Sequence, residues 1–137
     1  PINLGLDQNN LEDNTAEQKY KCGLVVLEPN LQGEPILFPL DITGYVNGCG
    51  WNVVNGVAGS VQVFDGNGLP ISNRVPLTII SESNLLNQPN VFRTNIKLTN
   101  NPTLRQGIII FEASPQNGLA PGSFKMPIIF GQNSYAF

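Results

Sequence analysis

The chain has 137 residues and a mass of 14.8 kDa, with 41% hydrophobic and 12% charged residues, a net charge of −3, no histidine and two cysteines. That length suits one hydrophobic core, and the mild acidity lacks the basic field that nucleic acid or an anionic membrane requires. Without histidine, Ser-His-Asp and Cys-His catalysis, His metal sites and imidazole switches are excluded. Amides stand where charges are missing: 18 Asn and 8 Gln, with 14 Gly and 11 Pro, make a turn-rich chain poor in helix formers. The longest apolar runs, such as residues 107–111, are too short for a membrane-spanning helix. No cofactor is implied.

The chain opens without an initiator Met or an apolar leader, which reads as a start at a processing site or at a cut in a longer chain. Ile2, Leu4 and Leu6 alternate with Asn3 and Gly5, a short strand pattern. Residues 7–18 carry four acids, no base and only Leu11 and Ala16 as apolar residues, so they read as a linker. Residues 1–20 therefore form an N-terminal extension, and residues 21–137 the folded domain.

From residue 21 the text is that of an antiparallel β protein. Residues 22–27 (CGLVVL) predict a buried strand, stopped by Glu28-Pro29-Asn30. Residues 36–38 and 40–46 predict an edge or bent strand with Pro39 at the bend. Val61, Val63 and Phe64 run into Asp65-Gly66-Asn67-Gly68, a hairpin signal because Gly and Asn tolerate positive φ. Residues 75–80 return from that turn. Phe92, Thr94, Ile96 and Leu98 alternate with polar neighbours as a half-buried strand does. The continuous run 107–113 (GIIIFEA) predicts a central strand, and 124–130 (FKMPIIF) the last. Strand signals every ~8–15 residues with turns between them indicate a sandwich or barrel. The predicted fold is an all-β, immunoglobulin-like antiparallel β-sandwich with an extended N-terminal tail.

Cys22 opens the first of these strands and Cys49 sits in the turn Asn47-Gly48-Cys49-Gly50-Trp51. A disulfide between them is the expected pairing, in an oxidising compartment; the alternative is two free buried thiols in a reduced one. Two cysteines with no histidine cannot complete a zinc site, and no imidazole is present to activate a thiol.

The segments Cys22-Gly23-Leu24-Val25-Val26, Phe38-Pro39-Leu40-Asp41-Ile42-Thr43-Gly44-Tyr45-Val46 and Gly48-Cys49-Gly50-Trp51 resemble the bacterial immunoglobulin-like domain family associated with spore germination. The match continues through Val61–Gly68, Phe92-Arg93-Thr94, Gly107–Glu112 and Met126–Phe130, so it covers about residues 22–130. The resemblance implies an immunoglobulin-like fold, a secreted or surface-attached setting and no enzymatic activity. A companion germination domain and a lipidated cysteine at the start do not occur in these 137 residues, so a germination role is not implied.

Other constellations have two readings each. Asp65-Gly66-Asn67-Gly68 is a hairpin turn or the start of a calcium loop, although no acidic cluster follows it. Glu28, Glu34, Asp41, Glu82 and Glu112 are too scattered for a catalytic carboxylate pair, and Glu112 suits solvent or an ion pair better. A Lys–Asn isopeptide bond would need one of Lys19, Lys21, Lys97 and Lys125 buried beside an acid. Trp51, Tyr45 and Tyr135 with neighbouring amides are candidates for a glycan-binding platform; the alternative for Trp51 is a core position beside the disulfide. No Asn-x-Ser/Thr acceptor with a permitted middle residue is present.

The tail supplies the sharpest functional expectation. Ile2, Leu4 and Leu6 can add a strand to a neighbouring sheet, and the linker can span tens of ångströms when extended. Donation head-to-tail would build a filament; the alternative is a tail packed on its own sheet. The sequence thus predicts a non-catalytic extracellular or cell-surface protein, structural or adhesive, forming a homo-oligomer or pilus-like filament. The rival is a monomeric surface-binding module, with a glycan or surface partner.

Overall fold

The computed structural model of the protein describes residues 21–81, 89–115 and 122–131. These residues are all-β and contain no helix. The strands are β1 (Gly23–Glu28), β2 (Pro35–Ile36), β3 (Leu40–Asn47), β4 (Val57–Asp65), β5 (Val75–Ser81), β6 (Asn90–Ile96), β7 (Gln106–Ala113) and β8 (Ser123–Phe130). They form one sheet in the order β1-β3-β6-β5-β4-β7-β8-β2, antiparallel except for the β2–β8 pair.

That order is compatible with a Greek-key β-sandwich of the immunoglobulin type, in which β1-β3-β6-β5 would take the places of strands A-B-E-D and β4-β7-β8 those of C-F-G. β5 joins the halves, because it pairs with β4 through Val75 and Val61 and with β6 through Ile79 and Phe92. The result is one curled sheet whose two halves share a single core: Ile42, Val46, Phe92 and Ile96 on one side, Val61, Val63, Ile109, Phe111, Ile128 and Phe130 on the other.

Alternation sets which side chains enter this core. In β6, Phe92, Thr94 and Ile96 are buried while Arg93 and Asn95 are exposed, as the period of two dictates. In β3 the inward set is Leu40, Ile42, Gly44 and Val46. Each large apolar side chain so buried contributes about 1.5–3 kcal/mol.

The expected elements are present, with three differences. β4 begins at Val57 because Asn55 and Gly56, both at positive φ, form a two-residue turn in which Val54 and Val57 exchange backbone hydrogen bonds of 2.9 and 3.1 Å. β2 has only two residues, since the chain must leave β8 to reach β3 in the other half of the sheet. β6 ends at Ile96, and Leu98 makes an isolated bridge with Ser72 instead. The expected strand at residues 2–6 lies outside the described residues.

Two glycines mark close approaches. A Cβ on Gly59, at φ 147°, would collide with the Glu112 carbonyl where β4 shifts register. A Cβ on Gly44 would strike the Val25 carbonyl and stand 2.8 Å from the buried Phe92 ring. Gly44→Ala is therefore expected to lower stability by about 1–3 kcal/mol in denaturant unfolding, and Phe92→Ala by about 3–5 kcal/mol. A Gly44→Ala protein as stable as wild type would contradict the close β1–β3 approach.

Candidate assembly and binding surfaces

A tightly held corner of the molecule lies where β3 ends. Gly48, Cys49 and Gly50 all take positive φ, and the Trp51 N–H donates to the Gly48 carbonyl at 3.0 Å. This tight left-handed turn brings Cys49 to Cys22, and the two form a disulfide with Cα atoms 5.6 Å apart. The bond fixes the start of β1 to the end of β3. Beside it, the Lys21 N–H donates to the Tyr45 hydroxyl at 3.2 Å, and the Asn47 side-chain amide donates to the Lys21 carbonyl at 3.3 Å. The backbone entering β1 is thus held covalently and by two hydrogen bonds.

Trp51 belongs to the core cluster at 7% exposure, and Tyr45 is buried at 8%. Neither presents an open ring face, which corrects the sugar-platform reading of both; Trp51 occupies the core position beside the disulfide. Tyr135 lies outside the described residues, as do Glu82 and Lys19.

At the opposite end of the fold, Asp65 organises the turn after β4. One carboxylate oxygen accepts the N–H groups of Asn67 and Leu69 at 2.9 and 3.2 Å, and the other accepts the Thr103 hydroxyl at 2.9 Å. Its oxygens are committed to the turn, and among the described residues no group of three or more Cys, Asp or Glu gathers as a metal site. Burial is the largest single influence on this carboxyl and pushes its pKa up. The hydrogen bonds from Asn67, Thr103 and Leu69 together outweigh it and hold the pKa below the ordinary 3.8.

The outer face of β4-β7-β8 carries apolar residues that the core does not use. Across the strands, Phe64, Ile108 and Pro127 form one row, Gln62, Ile110 and Lys125 the next, and Ser60, Glu112 and Ser123 the third. Phe64, Ile108 and Ile110 are half-buried. Cavities of about 580 and 350 Å³ lie along this face. Glu112 pairs with Arg74 at 3.3 Å on the surface, with the two side chains 40% and 62% exposed. A pair so exposed contributes about 0–1 kcal/mol.

The two edges of the sheet differ in kind. Hydrogen bonds from the Ala113 N–H to the Gly122 carbonyl and from the Phe130 N–H to the Arg105 carbonyl show that even-numbered residues of β8 face β7. Ser123, Lys125, Pro127 and Ile129 therefore turn their backbone outward. β2 covers the end of this edge, where the Gly131 N–H reaches the Ile36 carbonyl at 2.7 Å. Beyond β2 the edge presents a lysine and a proline without an N–H, both of which discourage strand addition. β1 has β3 on one side and no strand on the other among the described residues. Its sequence GLVVLE holds no lysine or proline.

No family model, curated protein or solved structure matches the chain. Of the residues singled out from sequence, the structure joins Cys22 to Cys49 and places Tyr45 next to this corner through Lys21. Ile2, Leu4 and Leu6 lie outside the described residues. Sequence reading passed over Phe64, Ile108 and Ile110 as a surface, although the unbroken apolar run 107–111 was the available signal.

The disulfide closes a loop with a sequence separation of 27, so Cys22→Ser/Cys49→Ser is expected to cost about 3–4 kcal/mol in denaturant unfolding. Both thiols should resist alkylation in native, unreduced protein; ready labelling of either would contradict the bond. For Asp65 the lowered native pKa means that the unfolded chain binds more protons in acid. Its stabilising effect is complete above 3.8 and is lost as pH falls through that value toward the native pKa. Between about pH 5 and 2, Asp65→Asn should flatten part of the acid limb of stability; an unchanged limb would contradict the turn's hydrogen bonding.

Proposed function

We propose that this protein is a non-catalytic, extracellular structural or adhesive module. Its copies join into a pilus-like surface filament when each N-terminal strand, with Ile2, Leu4 and Leu6 on one face, adds to a neighbour's sheet. The observation that carries the reading is the position of Lys21 and Cys22. The extension joins the domain at a covalently pinned point beside a sheet edge that carries no further strand among the described residues. The disulfide suits an oxidising compartment, and a surface setting without chemistry is part of the proposal. No helix among the described residues is long and apolar enough to cross a membrane.

A second reading, a monomeric surface-binding module for glycans or another surface partner, draws support from the outer face of β4-β7-β8. There Phe64, Ile108 and Ile110 lie beside Gln62 and Lys125 along two cavities. It no longer has Trp51 or Tyr45 to offer.

Burial of Ile2, Leu4 and Leu6 is worth roughly 4–8 kcal/mol before ordering costs, enough to hold copies together if the strand pairs fully. Leu4→Asp would bury an unpaired charge and is expected to disperse assemblies into monomers in light scattering. A wild-type protein that stays monomeric at high concentration would overturn assembly and leave the binding module.

A further inference from the structure

We infer that the acceptor for the donated strand is the outer edge of β1, and that its occupant is residues 2–6 of a second copy of this chain. The inference rests on the strand-donation reading above and adds the site at which donation occurs.

A sheet offers an incoming strand only its two edges, and here they are unequal. On the β8 side the core is sealed, with Ile36, Ile128 and Phe130 buried beneath the β2–β8 pair. The remainder of that edge turns Lys125 and Pro127 outward, so an added strand would meet a charge and a missing donor. On the β1 side no further strand covers the rim of the core among the described residues. Leu24 and Val26 pack against the core cluster yet are only half-buried, and Leu27 is 55% exposed. A further strand with apolar residues at every second position would extend the inner face outward by one strand and cover Leu24 and Val26. Ile2, Leu4 and Leu6 provide that period.

The length and position of the extension allow a second copy as the donor. Lys21 is held at Tyr45 and Asn47, so the extension leaves the domain at the end of the edge that accepts. Residues 7–20 between the donor segment and that anchor span roughly 46–50 Å when extended, which lets residues 2–6 reach the β1 edge of an adjoining molecule. The disulfide keeps β1 in register with β3 at the Cys22 end while a partner is absent.

The test uses full-length Leu4→Asp protein, which retains the acceptor edge but cannot donate. It is titrated with a synthetic peptide of residues 1–8 while amide hydrogen exchange is followed residue by residue. The expected result is at least tenfold slower exchange for amides within Gly23–Glu28, with Ser123 and Lys125 unchanged. A second variant, Leu27→Lys in the same background, places a charge at the exposed edge and should weaken peptide binding about tenfold without loss of fold. Protection at Ser123 and Lys125 with β1 unchanged would overturn the edge assignment and leave donation standing. No protection anywhere at saturating peptide, with wild-type protein monomeric, would overturn donation itself. Protection of β1 in a wild-type monomer without peptide would show the strand docking on its own sheet, which also overturns the second-copy occupant.

Discussion

The bond between Cys22 and Cys49 is the constraint on which the first strand depends. Among the described residues β1 hydrogen-bonds to one neighbouring strand, its apolar side chains are half-buried or exposed, and its register with β3 slips between Val26 and Glu28. Backbone hydrogen bonds that contribute about 0.5–1.5 kcal/mol each leave such a strand free to fray. Covalent closure at its first residue, with the Lys21 contacts to Tyr45 and Asn47, removes most of the conformations in which it would detach. The three positive-φ residues at 48–50 are the local cost of placing Cys49 within reach.

The rest of the sheet holds through the curl. β5 is the hinge of the architecture, hydrogen-bonding to β4 in its first residues and to β6 in its later ones. Because of it, Phe92 and Phe111 enter one core from opposite halves. Gly44 lets β1 and β3 close over Phe92, and Gly59 lets β4 bend against β7. Both work by the absence of a side chain, so neither would tolerate even a methyl group without a shift of backbone.

The contrast between the rims gives the molecule a direction. At one rim β2 seals the core and Lys125 and Pro127 discourage further pairing. At the other, the apolar strand β1 is pinned but uncovered among the described residues.

The sequence by itself determined the strands, because alternation and turn chemistry are local. Residues 90–96 followed the period of two, Asp65-Gly66-Asn67-Gly68 turned, and residues 107–113 ran unbroken as an interior strand does. It also made Cys22–Cys49 the expected pairing, with two free thiols as the alternative, and the structure joins the two. The Asn55-Gly56 turn was legible and was passed over; β2 was not, because a two-residue parallel pair leaves no periodicity to read. Only the tertiary structure decided the fate of the aromatics and the edges. Trp51 and Tyr45 have the same composition whether they face solvent or the fold, and burial is a property of what packs against a residue rather than of the residue. Likewise, that Pro127 and Lys125 lie on one edge and β1 is the other edge strand among the described residues follows from strand order, which long-range pairing fixes and no local pattern encodes.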